Sequence, residues 1–467
     1  MPLTAICRGN HRAGCTPPAC PVAQGSVRDI TSGRVTGRAL SVQEPLPVTV
    51  CQDHQRYESL RAVDQGRVDM AEGRVGAVAH QHAVGSHLGL SVRGEQERWR
   101  RTRQALNAAR PELARLAARL YAPSLQLADT GLVAPPAWLP EQPIELSDIQ
   151  LTYVADAPAP TLDGTEAATS HVRPRVSSSR RHRRYSHAIQ DLARPALFED
   201  RASWRLVELG WRDGKGEMTL GSTTYFAGID TYEALAHELA DRALDPQGRL
   251  RAPAPTMRDL PFRSLIGDPT DLCRRPVLPS IDTLTVRREA GAASFLLHRR
   301  DPTRVAVAGG MLQVIPAGIF QPSSDRPGAA EADFDLWRNL MREFAEELLG
   351  SPEYGDDGDP VRYDRGVFRV LEQARAEGRL RVFCLGFAAD ALTLVGEILT
   401  VLVIDAEVFD QLAAGFVDRN AEGAVVKRRY PFTEETIAQL LQDRIAPAAA
   451  GCLHLAWRHR DHILQWA

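Results

Sequence analysis

Residues 333–350, DFDLWRNLMREFAEELLG, constrain this chain more than any other stretch. Phe334, Trp337, Leu340, Met341, Phe344 and Leu348 recur at three- and four-residue steps, the period of one helix face. Glu343, Glu346 and Glu347 stand at i, i+3 and i+4, so the same helix carries three carboxylates in one patch on roughly its opposite side. Clustered carboxylates repel one another unless something positive sits among them, and a hard divalent cation is the natural partner for oxygen ligands. The plainer use of such a pattern is an amphipathic helix with a solvated acidic face.

The flanking sequence weighs against the plainer use. Residues 311–320, MLQVIPAGIF, read as a strand ending in Pro316 and Gly318, and a polar loop follows from 321 to 330. Strand, loop and acidic helix, with Gly328, Arg342-Glu343, Phe344 and Glu346-Glu347 in step, resemble the signature box of the Nudix family of metal-dependent hydrolases of nucleoside-diphosphate-linked compounds. Two positions depart from that box: Phe334 stands where it has its first Glu, and Leu349 where it has a Gly, with Gly350 one residue later. Phe334 extends the apolar stripe and leaves Asp333 or Asp335 to pair with Arg342, while Gly350 still suits a left-handed residue closing the helix.

The resemblance implies an α/β fold, with a Nudix-like α/β/α sandwich over residues 280–467. It implies that Glu343, Glu346 and Glu347 bind Mg²⁺ or Mn²⁺, that Glu346, Glu347 and Arg342 form the catalytic group, and that Arg342 orients the acids. Gly318 then lets backbone approach the substrate, and Glu397, on the apolar stretch 392–404, becomes a further metal ligand or base. The ligand class that follows is a small nucleotide-type molecule. No P-loop or dinucleotide GxGxxG narrows it further.

The rest of the chain is read as context for that unit. Its 467 residues exceed one ordinary core, so several domains are expected. Residues 1–90 are rich in Gly, Pro, Arg and Ser without periodicity and read as disordered, with Met70 or later an alternative start. Within them Cys7, His11, Cys15 and Cys20 lack the paired spacing of a zinc knuckle. Residues 91–161 read as helices followed by a Pro-rich extension, 162–184 as a basic Ser/Arg linker, and 185–279 as a small α+β region. In that region a helix over 231–244, capped by Asp230 or Thr231, places Glu233 and His237 at i, i+4, a spacing read as a surface ion pair rather than a metal site.

Composition limits the partners. A net charge of −3 gives no global reason to expect nucleic acid or an acidic membrane surface. Arg100, Arg101 and Arg103 suggest a major-groove reader, yet no short Gly turn or polar recognition helix accompanies them, and the run 180–184 reads as solvated linker. No apolar run of spanning length and no signal-peptide pattern occur, and seven scattered Cys fit reduced thiols, so a cytoplasmic protein is expected, while richness in Ala, Arg, Gly and Pro, with Arg far outnumbering Lys, suggests a bacterial one. Two functions follow: a hydrolase of a nucleoside-diphosphate-linked compound, or a weakened Nudix-like module that senses a ligand, such as a transcriptional regulator. The oligomeric state is left open.

Overall fold

The first helix, α1 (Val92–Ala108), starts where the Ser91 hydroxyl accepts from the Gly94 N–H, and its buried stripe is Trp99, Arg103 and Leu106. Pro111, in the first turn of α2 (Arg110–Ala118), costs no helix hydrogen bond there and so starts a second helix. This computed structural model describes residues 91–195, 198–300, 311–352, 361–419 and 423–465. The expected disordered segment, with Cys7, His11, Cys15 and Cys20, lies outside the described residues.

Two short strands follow, β1 (Leu132–Val133) and β2 (Ile144–Glu145), and then β3 (Ile149–Tyr153), α3 (Tyr185–Leu192), β4 (Ala202–Arg212) and β5 (Lys215–Thr224). Strands β3, β5 and β4 form a small sheet, with β3 parallel and β4 antiparallel to β5. Next come α4 (Tyr225–Ala243) and α5 (Pro261–Ile266). Helix α4 begins six residues before the expected 231, because the Thr224 side chain caps it by accepting from the Ala227 N–H. Asp230 is therefore not a cap. It is buried inside the helix, accepting from the Ser186 N–H at 2.7 Å and from Arg184 at 3.1 Å.

Glu233 and His237 are likewise buried rather than at the surface, which corrects the ion-pair reading. The Glu233 carboxylate accepts from Arg110 at 2.7 Å and from Arg103 at 2.7 Å, so its partners come from α1 and α2, not from its own helix. His237 shares a 2.9 Å hydrogen bond with the Tyr185 hydroxyl and stacks on Trp99. Burial pushes its pKa down to about 3, so it stays neutral in the fold while an unfolded imidazole takes a proton near 6.5. A depressed pKa contributes stability above the unfolded value and loses it as pH falls. We expect unfolding free energy to drop between about pH 6.5 and about pH 3 with a His237 share near 1 kcal/mol per pH unit. Urea denaturation of His237→Gln across that window checks this: the variant should show a shallower pH slope than wild type, and an identical slope would refute it.

The remaining strands are β6 (Pro279–Glu289), β7 (Ala292–Arg300), β8 (Leu312–Gln313), β9 (Ala317–Ile319), β10 (Leu380–Asp390), β11 (Gly396–Asp405) and β12 (Gly423–Pro431). They interleave with helices α6 (Ala329–Asp333), α7 (Leu336–Leu349), α8 (Gly366–Ala376), α9 (Ala406–Ala413), α10 (Glu434–Leu441), α11 (Pro447–Arg458) and α12 (Arg460–Leu464). The large sheet runs β1-β10-β11-β6-β7-β12, with β2 on β10, β8 on β7 and β9 on β6. Only β11 and β6 pair in parallel within it, among the described residues. Residues 311–320 make two short strands, β8 and β9, instead of the single strand expected.

Helices cover both faces, which is why β10 and β11 read as nearly continuous apolar runs. Ile281, Ile398, Leu402 and Ile404 share a core with α7, α8 and α9. Leu284, Val286, Leu399, Val401 and Val403 share the other core with α10 and α11. This is the expected α/β fold. Residues 91–279 are bound into it: β1 and β2 extend the sheet at β10, and the fully buried Arg263 donates to the carbonyls of Ala391 and Leu392 between β10 and β11. Residues 162–184 are no linker, since Arg175 and Arg181 pair with Glu95, and Arg184 with Asp163.

Among the described residues, Cys384 and Cys452 are free and buried. No helix among the described residues is long and apolar enough to cross a membrane.

Candidate functional site

Helix α7 carries the site, and its end falls at the Gly350 the sequence pointed to. Asp335 caps the start by accepting from the Arg338 N–H at 2.9 Å, and Gly350 closes the end with φ 66°. The apolar stripe Trp337, Leu340, Met341, Phe344 and Leu348 is buried against the sheet. The acids do not lie opposite it. Glu347 is itself buried, and Glu343 and Glu346 are half-exposed beside it, so the acidic patch sits on the flank of α7 that meets β9.

Three contacts define that seam. The Glu347 Oε2 accepts from the backbone N–H of Ala317 at 2.9 Å, which ties α7 to β9 through a charge-assisted hydrogen bond. Gly318, the next residue, faces Glu343 so closely that a Cβ there would overlap the Glu343 carboxyl group. The Gly318 carbonyl accepts from the Ser280 hydroxyl at 3.2 Å, which holds β9 to β6. The resemblance made Gly318 a point of backbone approach to substrate; in the structure its missing side chain also leaves room for the Glu343 carboxyl group.

Arg342 is buried. Its Nη2 donates to the Gln321 carbonyl at 2.8 Å and to the Asn339 side-chain oxygen at 3.0 Å, and its Nη1 lies 3.9 Å from Asp333. Of the two acids flanking Phe334, Asp333 is thus the one near Arg342, because Asp335 is engaged as the cap. Asp333 also accepts from the Tyr363 hydroxyl at 2.7 Å and the Ser323 N–H at 2.8 Å. Through these contacts Arg342 holds the loop before α7. Phe334 joins an aromatic group with Trp204, Phe320 and Tyr153, so the residue replacing the box Glu serves packing.

Glu397 is buried on β11, paired in register with Ser280 of β6. Regular alternation places it with Leu399, Val401 and Val403 on the face covered by α11, whereas Ile398 and Leu402 face the side of α7. It is near enough to Cys452 and Tyr232 to raise both groups, after burial has already done so. The sheet therefore brings Glu343, Glu346 and Glu347 together with Gly318 and leaves Glu397 on its other face. Period-two alternation over 396–405 was the signal that could have separated Glu397, but it is masked because both faces are apolar.

The donor set consists of carboxylate oxygens, which suit a hard cation. Among the described residues no three His, Cys, Asp or Glu side chains form a ready metal cluster. Mg²⁺ commonly takes one or two carboxylates and completes its shell with water and ligand phosphate, so half-exposed Glu343 and Glu346 offer the kind of donors it uses. Sequence reading missed the Ala317 N–H and Tyr363 as members of the site, since backbone donors and residues 30 positions apart leave no periodic trace.

No family model matches the chain, and no curated protein matches it. Among solved structures, a NUDIX hydrolase from Alicyclobacillus acidocaldarius aligns over 38% of this chain and 90% of its own, at 14% identity and a TM-score of 0.23. So loose a superposition carries no structural argument.

Proposed function

We propose that the acidic flank of α7 binds Mg²⁺ or Mn²⁺ together with a diphosphate-containing, nucleotide-type ligand, and that the chain is a Nudix-like hydrolase of a nucleoside-diphosphate-linked compound. The observation that carries this reading is the Glu343–Gly318 fit: a side chain has been omitted from β9 at the one place where a carboxylate of the acidic helix needs the space. An acidic face that served only solubility would need no such seat. The cation, when bound, supplies charge that offsets the phosphate oxygens and acidifies a bound water.

This chain's own residues do the rest. Glu343 and Glu346, half-exposed on successive turns of α7, supply oxygen donors. Glu347, held by the Ala317 N–H, fixes the distance between helix and strand. Arg342 and Asp333 fix the loop that leads into α7.

The second reading, a ligand-sensing module, is favoured by Phe334, which has entered the aromatic packing in place of an acid. Isothermal titration of Mn²⁺ and Mg²⁺ into wild type and Glu343→Gln/Glu346→Gln, with phosphate release from a panel of nucleoside-diphosphate compounds, separates the two. Binding and turnover that both fall at least about 100-fold in the variant support the hydrolase. Binding without turnover supports the sensor. A folded wild-type protein that does neither refutes both.

A further inference from the structure

The segment 173–184, RPRVSSSRRHRR, contains six arginines and no acid, and it is built into the fold. Arg175 and Arg181 form an antiparallel bridge, and the N–H groups of Val176 and Ser177 both donate to the Arg180 carbonyl, which makes a hairpin with Ser177, Ser178 and Ser179 exposed at its tip. Its base is fastened on two sides. Glu95 of α1 takes both Arg175 and Arg181, and Gln96 donates to the Arg175 carbonyl at 2.8 Å. His182, buried, bridges the Pro174 carbonyl and Asp191 of α3.

What remains is positive and exposed. Arg180 and Arg183 are exposed and have no carboxylate within ion-pair distance among the described residues. Arg100, on the α1 surface that faces the end of α3, donates among the described residues only to the Leu192 carbonyl, at 3.1 Å. In a chain of net charge −3 this is a local concentration, not a global bias.

We propose that this hairpin and the adjoining turn of α1 bind the phosphodiester backbone of a nucleic acid without reading its sequence. Guanidinium forks match phosphate oxygens, and serine hydroxyls at the tip add neutral donors. The fastened base means the arginines are presented with little backbone entropy left to lose, unlike those of a flexible linker. Among the described residues, none of the exposed large apolar ones, Tyr153, Leu250 and Leu265, belongs to this surface, so those residues offer it neither a ring to stack on a base nor an apolar wedge for a membrane.

The test uses the full chain, fluorescence anisotropy, and mixed-sequence DNA duplex and single-stranded RNA as probes. Arg100→Glu/Arg180→Glu/Arg183→Glu is compared with a charge-matched variant on other exposed arginines, Arg249→Glu/Arg362→Glu/Arg429→Glu. The expected result is wild-type binding that weakens about 40-fold between about 50 mM and about 200 mM salt, as roughly three phosphate contacts require. The hairpin variant should bind at least about tenfold more weakly with a flatter salt dependence, and the control variant should lose markedly less. Circular dichroism confirms that both variants remain folded. Absence of binding at low salt, equal loss in the two variants, or binding to phosphatidylglycerol vesicles but to neither nucleic acid overturns the proposal.

Discussion

Glu233→Gln is expected to destabilise the fold by about 3–5 kcal/mol, the usual cost of removing one member of a buried ion network. Glu233 is 1% exposed and is met by two guanidinium groups that are themselves buried, Arg103 from α1 and Arg110 from α2. Burial alone would raise its pKa, but Arg110 and Arg103 outweigh burial and hold the carboxylate below its ordinary range. Removing the negative charge leaves two positive groups in a dry interior, where Arg103 also donates to the Tyr185 hydroxyl and Arg110 to the Asn107 side chain. The same physics makes a counter-prediction. Arg103→Met/Arg110→Met/Glu233→Met, which removes all three charges together, should cost far less than the single change, because an ion network repays little more than its own desolvation. Urea denaturation with m-values checked for constancy measures both. A loss below about 1 kcal/mol for Glu233→Gln would show that water or another group reaches the arginines.

Gly318→Ala is expected to leave stability nearly unchanged and to lower Mn²⁺ affinity and any phosphate release by about 100-fold. The new Cβ would occupy the space of the Glu343 carboxyl group. That group is the far end of a flexible, half-exposed side chain, so it can swing out at little cost to the fold. What it loses is its position beside Glu346, and a misplacement of an ångström is enough for a loss of that size. Thermal denaturation separates the two effects. Wild-type Mn²⁺ affinity in a folded Gly318→Ala protein would mean that Glu343 is not a ligand, and the proposed site would fail with it.

How much of this could be read from the chain follows from the range of each interaction. Helix α7 was legible because its apolar period and its Gly350 terminator lie within one stretch of sequence. The layered α/β architecture was legible from apolar runs separated by helical periods. The start of α4 was not, since Tyr225 and Phe226 give no polar boundary and the cap is a threonine two residues before the second of them. The expected linker at 162–184 failed for a different reason. Its arginines find acids at Glu95, Asp163 and Asp230, and pairing across as many as 86 positions leaves no local mark.

By itself, then, the sequence determined which stretches become helix or strand and that three carboxylates share one side of α7, because periodicity and capping act over a few residues. Only the tertiary structure decided which of them face β9, that Glu397 belongs to the other side of the sheet, and that Glu233 and His237 are buried. Those outcomes depend on register and on partners far away in the chain. A residue's burial is settled by whatever packs over it, and no local pattern records that neighbour.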